Sequence, residues 1–172
     1  MDTNPDFGRE FFVTGLRNQH AVENQAIELL GRQVERLENY PEMLERLRLH
    51  QQESRQQAER IEELLASLGS SHSTVKDTVM SVVGNMAAIA HAPAPDEVVK
   101  NTFANFAFEH FEIAAYRSLI TVAEAIGQSA ALPALRASLG EEQAMAAWID
   151  ERIAPTTLQY VHRAGAGVTA GR

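Results

Sequence analysis

Apolar residues recur along this chain at alternating steps of four and three, the pattern of helices that each bury one face in a bundle. The first stripe reads Leu16, His20, Glu23, Ile27, Leu30, Val34, Leu37, and the second Met43, Leu47, His50, Glu53, Gln57, Ile61, Leu64, Leu68. A third face carries Glu109, Glu112, Tyr116, Leu119, Ala123 and Ile126, and a fourth Leu135, Leu139, Glu142, Ala146, Ile149 and Ile153. Each face is apolar except at one level, where polar side chains occupy core positions. Strand-like alternation is absent, so the pattern predicts an all-α fold.

Proline and glycine set the boundaries. The first helix is expected from about Thr14 to Asn39, with Pro41 in the first turn of the second, which ends near Gly69. A serine-rich turn then leads to a short amphipathic helix with Val75, Val79, Val82, Val83, Met86 and Ile89, closed by the Pro93 and Pro95 region. Asp96 is the expected N-cap of a third long helix running to about Gly127, and Ser129 that of a fourth with Pro133 in its first turns. Pro155 is expected to kink or end that helix. The order of two helices, a long crossover and two more helices predicts an antiparallel four-helix bundle with a short extra helix in the crossover, as in ferritin-like folds. The expected domain spans residues 13–164, after a loosely ordered N-terminus over 1–12 and before a flexible tail over 165–172.

Glutamates repeat within this frame. Glu23 and Glu53 lie thirty residues apart, as do Glu112 and Glu142, and the offset between the pairs is eighty-nine both times. A duplicated hairpin that places one carboxylate per helix in a shared core is the plan of a two-metal bundle. Burying four ionised carboxylates uncompensated would cost roughly ten kcal/mol or more. That is comparable with the whole net stability of a domain, about 5–15 kcal/mol. Protons, basic partners or cations must therefore neutralise them. No basic residue lies on the four stripes at the level of the glutamates, and hard divalent cations answer the need directly, since carboxylate and imidazole suit iron and manganese.

Composition narrows the chemistry. The 172 residues, 45% hydrophobic, suffice for one core, and a net charge of −8 argues against nucleic acid and anionic membranes as partners. With no cysteine, disulfides and thiolate metal sites are excluded, and any metal is held by oxygen and imidazole. The first residues lack the basic and apolar regions of a signal peptide, and no run reaches membrane-spanning length, so a cytoplasmic location is expected. Phosphate loops, zinc-protease helices and serine elbows are absent, and an aromatic content of 6% is too low for a base-stacking platform.

The stretches His20-Ala21-Val22-Glu23-Asn24-Gln25-Ala26, His50-Gln51-Gln52-Glu53, Glu109-His110-Phe111-Glu112-Ile113-Ala114-Ala115-Tyr116 and Leu139-Gly140-Glu141-Glu142-Gln143-Ala144 closely resemble those of the bacterial YciE/YciF ferritin-like stress proteins. The resemblance covers about Phe11 to Pro155. It implies a ferritin-like bundle, homodimeric assembly and a ferroxidase or other di-iron role. The chain departs from the wider ferritin-like pattern, in which a histidine follows the glutamate of the second and fourth helices by three residues. Here Gln56 and Met145 stand at those places, and histidines instead precede glutamates at His20 and His50. Glu109 takes the place equivalent to His20, and Leu139 that of His50, so a carboxylate-rich and lopsided site is expected.

The candidate metal ligands are thus Glu23, Glu53, Glu112 and Glu142, joined by Glu109, His20 and His50. Gln57 and Tyr116 are candidates for orienting carboxylates. The plainer readings are a hydrogen-bonded polar layer that fixes register, histidines satisfied at a core boundary, Glu109 one layer above the metals, and Tyr116 as ordinary packing. Glu141 is expected to face solvent, His72, His91, His110 and His162 to be exposed, and Trp148, Phe103, Phe106, Phe108 and Phe111 to pack or pair with a second copy. The leading expectation is a bundle that holds two iron ions, or manganese, and reacts them with dioxygen or peroxide. The alternative is a non-catalytic, dimeric stress or structural protein whose polar layer is vestigial.

Overall fold

A computed structural model describes residues 5–71 and 94–172. Among these the chain forms helices α1 (Pro5–Arg36), α2 (Pro41–Ser67), α3 (Glu97–Ala125) and α4 (Leu132–Gly165), with a 3-10 turn at Ser129–Ala131 before α4. The fold is the all-α bundle the pattern predicts. α1 packs on α2 and α3, and α4 on α3 and α2. Cross-helix bonds fix the directions: Gln33 meets Asn105 while Gln19 meets Glu112, so α1 and α3 are antiparallel. Gln57 meets Glu141 and Arg152 meets Glu42, so α2 and α4 are antiparallel as well. His20 meets Glu62 and Gln51 meets Ile27, so α1 and α2 are antiparallel too, and α2 and α3, joined through the crossover, run the same way. The short helix expected there, with His72 and His91, falls outside the described residues.

Several boundaries differ from expectation for identifiable reasons. α1 starts at Pro5 rather than near Thr14, and Phe12, on the added turns, is fully buried. Gly15 lets this part of α1 approach α3, since a Cβ there would stand 2.8 Å from Leu119 Cδ2. Ser129 opens the 3-10 turn instead of capping α4, which has Pro133 in its first turn and no side-chain cap. Pro155 does not end the helix, as α4 continues to Gly165. Pro155 lies on an exposed face, where the carbonyl deprived of its partner is solvated. Beyond it Thr156 is buried, Gln159 donates to the Asn39 carbonyl and Arg163 Nη2 to Asn39 Oδ1 at 2.6 Å. The residues after Gly165 make specific contacts: Tyr40 donates to the Ala170 carbonyl at 2.6 Å and Val98 N–H to that of Gly171 at 2.8 Å.

The core has two apolar plugs with a polar layer between them, and a smaller apolar cluster of Val22, Ala26, Leu29 and Phe108 joins α1 to α3. One plug gathers Phe12, Leu16, Ile61, Leu65, Leu119 and Leu135. The other gathers Leu30, Tyr40, Met43, Leu47, Val98, Met145 and Ile149. Between them lie Gln19, Glu23, His50, Ser54, Gln57, Glu109, Glu112, Ser138 and Glu142, all buried. These groups are shut off from solvent, so each must find its partner in the protein around it.

Candidate metal centre

His50 of α2, Glu109 and Glu112 of α3 and Glu142 of α4 each bring one potential ligand atom within 4.8 Å of all the others. All four are buried. The spacing on α3 explains part of this, because residues three apart share a helix face and both carboxylates point inward. α1 adds Glu23, fully buried, whose Oε1 accepts from Tyr116 at 2.6 Å and from Gln19 at 2.8 Å. Gln19 Nε2 also lies 3.4 Å from Glu112 Oε1, tying Glu23 to the cluster.

His50 is the hinge of the arrangement. Its Nδ1 meets Glu53 Oε2 at 2.9 Å, while Nε2 stands 3.1 Å from Glu109 Oε2 and 3.7 Å from Glu142 Oε2. Nε2 is not aligned as a hydrogen bond to either oxygen. A histidine whose one nitrogen is fixed by a carboxylate presents the other as a ligand in a set orientation. Glu53 lies outside the inner group, half-buried, and shares its Oε2 with Arg46 at 3.0 Å.

His20 sits apart. Its Nε2 meets Glu62 at 2.8 Å across the α1–α2 seam, and Asn24 is its neighbour on α1. Gln57 is buried, yet its amide donates to Glu141 at 2.9 Å rather than to the inner carboxylates. Glu141, expected in solvent, is half-buried and pairs with Arg60 at 2.7 and 2.8 Å. His110 and His162 are exposed as expected, and Trp148 packs on the second plug with Arg152 over its ring. Of the candidates, then, His50, Glu109, Glu112 and Glu142 converge, Glu23 adjoins them through Gln19, Glu53 stands one bond behind, and His20 and Gln57 turn to other partners.

The electrostatics follow from burial. It raises Glu23 to about 7 even though Tyr116 and Gln19 bond the charged form. It raises Glu112 well above the usual carboxylate range, reinforced by the charges of Glu142 and Glu23, and Glu142 likewise, reinforced by Glu109. Burial works against His50 as a cation, yet Glu109, Glu53 and Glu142 together hold its protonation well above the usual imidazole range. Burial pushes Glu53 up too, but the bonds from His50 and Arg46 win and hold it below the ordinary value.

A bound cation can be tested against the unmet valences. Among the described residues, nine buried side-chain polar atoms have no hydrogen-bond partner, and six belong to the converging four and Glu23: Glu23 Oε2, His50 Nε2, Glu109 Oε2, Glu112 Oε2 and both oxygens of Glu142. His50 Nε2 and Glu109 Oε2 face each other as an ion pair, and an atom left wholly unmet costs about 1–3 kcal/mol. The grouping of His50, Glu109, Glu112 and Glu142 within 4.8 Å, and a donor set of carboxylate oxygens with one imidazole, fits a hard or borderline divalent cation such as iron or manganese.

Two polar groups at the site were not anticipated from sequence. Gln19 lies one position from His20, and steps of three or four from Leu16 permit either to face inward. Arg46 lies seven residues before Glu53, two helical turns along one face, an interval that does signal the pair.

Residues 8–162 match the family described as a domain of unknown function, DUF892. The chain belongs to that family. Solved structures share the bundle. One, of a protein from Xanthomonas campestris pv. campestris, is 30% identical with a TM-score of 0.79, covering 92% of this chain and 99% of that one. YcfI of Rhodopseudomonas palustris is 25% identical with a TM-score of 0.74, covering 87% and 97%. The Escherichia coli stress protein YciF, 23% identical with a TM-score of 0.72 over 89% and 96%, shares the fold. Among the described residues no helix is long and apolar enough to cross a membrane.

Proposed function

We propose that this protein is a di-iron carboxylate protein whose buried layer binds two metal ions and supports ferroxidase-like oxidation. The observation that carries the reading is the grouping of buried ligand atoms of His50, Glu109, Glu112 and Glu142 within 4.8 Å of one another, with Glu23 adjoining through Gln19. His50, Glu109, Glu112 and Glu142 would hold one ion, and Glu23 with a shared Glu112 the other. Bound iron would supply one-electron redox chemistry toward dioxygen or peroxide, with manganese as the competing cargo.

The chain's own residues contribute position, charge and dryness. Glu53, held by Arg46, fixes the His50 ring through Nδ1, so that Nε2 is offered to the cluster. Tyr116 and Gln19 fix one oxygen of Glu23 and leave the other free. Glu112 and Glu142, costly as bare anions in this layer, exchange their protons for a cation's charge on loading, so binding releases protons and strengthens as pH rises. The apolar plugs keep bulk water from the layer.

The same reading takes the protein as a cytoplasmic homodimer, for which exposed Phe7, Phe11 and Phe103 offer apolar surface. The deciding experiment is anaerobic titration with ferrous ion followed by oxygen. One to two ions bound per chain and oxidised on air is the expected outcome. No binding would leave the layer as structure and favour a non-catalytic dimeric stress protein.

A further inference from the structure

Between α1 and α3 a crevice opens from the surface toward the cluster, and Glu109 lines it. Its walls are mostly apolar, with Ala26, Leu29, Ala104 and Phe108 among them. Gln33 and Asn105 also line it, and their amides close on each other in a reciprocal pair, Nε2 to Oδ1 and Nδ2 to Oε1, both at 2.9 Å. The cavity measures about 20 Å³, room for one water-sized molecule.

We infer that this crevice is the passage by which dioxygen reaches the cluster, and that the Gln33–Asn105 pair is its latch. The inference rests on the reading given under Proposed function and adds the route and the character of the oxidant. Size admits a diatomic molecule. The lining selects by polarity: a trapped water needs two to four polar partners, and the alanine, leucine and phenylalanine side chains that make most of the wall offer it none. A charged oxidant would have to shed its hydration shell against alanine, leucine and phenylalanine, at a large desolvation cost. A small neutral gas meets neither penalty. The floor of the crevice is chemically connected, because the Glu109 side chain is only 3% exposed and its Oε2, 3.1 Å from His50 Nε2, is one of the unmet atoms of the cluster.

Two substitutions away from the cluster test this. Ala104→Leu fills the crevice and Asn105→Ala removes the latch, while neither residue belongs to the ligand set. Anaerobic ferrous binding by Ala104→Leu should match the wild type, and its oxidation by dioxygen in stopped flow should be several-fold slower. Asn105→Ala should oxidise iron at least as fast as the wild type. Crystals of the wild type under xenon pressure should show the gas in the crevice, and those of Ala104→Leu should not. Iron that binds and is oxidised by Ala104→Leu at the wild-type rate, or a wild-type crevice empty of xenon, would overturn the passage alone. A slower Asn105→Ala would remove the latch. Failure of the wild type to bind ferrous ion would overturn the di-iron reading, and the passage with it.

Discussion

In the first hairpin Glu53 is half-buried and bonded to both His50 and Arg46, whereas its counterpart in the second, Glu142, is fully buried with both oxygens unbonded. The offset of eighty-nine residues that relates them also relates Arg46 to Leu135 and His50 to Leu139. One helix thus supplies its own cations beside the carboxylate and the other supplies leucines. The same residue at the same place in a duplicated frame has opposite needs. Glu53 is neutralised by the protein, and Glu142 must take a proton or a foreign cation. Metal dependence should therefore concentrate in the second hairpin and in His50, which faces it.

The largest expected effect separates the two positions directly. Glu142→Ala should abolish most metal binding, while Glu53→Ala, which removes only the support behind His50, should weaken affinity by about 10–100-fold. Elemental analysis of both variants after loading with ferrous ion measures the difference, and equal loss from both would erase the asymmetry. Substitution by leucine sharpens it further in the metal-free protein. Glu142→Leu removes an uncompensated carboxylate and should stabilise by about 1–4 kcal/mol. Glu53→Leu leaves Arg46 and His50 without their partner and should destabilise by about 1–3 kcal/mol, reduced from the cost at a sealed site because Glu53 is partly solvated. Urea denaturation should give shifts of opposite sign.

Glu53 and Glu142 should also respond oppositely to pH. Glu23, Glu112 and Glu142 hold their protons more tightly when folded than unfolded. Their penalty is absent below the unfolded value near 4.5 and grows as pH rises, for Glu23 up to about 7. His50, raised by its carboxylate neighbours, contributes stability that is complete below its unfolded value of 6.5 and is lost as pH climbs through the folded one. Glu53, lowered, contributes in the other direction, present above 4.5 and lost as pH falls. The first group is larger, so metal-free protein should be more stable near pH 5 than near pH 8. Loading with metal should shrink or reverse that slope, and thermal melts across this range would measure it.

How much of this was legible in the sequence depended on helix phase. On α3 the expected face, Glu109, Glu112, Tyr116, Leu119 and Ala123, is the buried one. On α1 the hydrophobic reading favours 20, 27 and 34, where histidine, isoleucine and valine stand, over 19, 26 and 33, with glutamine, alanine and glutamine. Burial follows the second line: Gln19, Ala26 and Gln33 are buried and their successors only partly so. The helix has two neighbours, and the more apolar seam faces α2 while the smaller, more polar one faces α3. Hydropathy alone cannot rank two seams of one helix, so His20 was expected inward and Gln19 was overlooked. On α2 the core line passes through Ser54, and Glu53 flanks it, which is why Glu53 reaches Arg46 instead of the cluster. The duplicated glutamates were visible because spacing records topology, whereas their inequality lies in which neighbour faces them.

The smallest effect concerns the group that links the two hairpins. Tyr116, on α3, donates to Glu23, on α1, across 2.6 Å, and is itself buried. Tyr116→Phe keeps the ring and its packing and removes one hydrogen bond, leaving Gln19 as the sole donor to Glu23 Oε1. In the metal-free protein the loss should be about 1 kcal/mol, the ordinary net value of such a bond. It should also raise the Glu23 pKa, since the bond stabilises the charged form. If Glu23 serves the second ion, that ion should load at a higher pH in Tyr116→Phe while the ion held by His50, Glu109, Glu112 and Glu142 loads as before. Isothermal titration at two pH values resolves the steps, and a uniform shift of both would mean that Glu23 acts on the cluster as a whole.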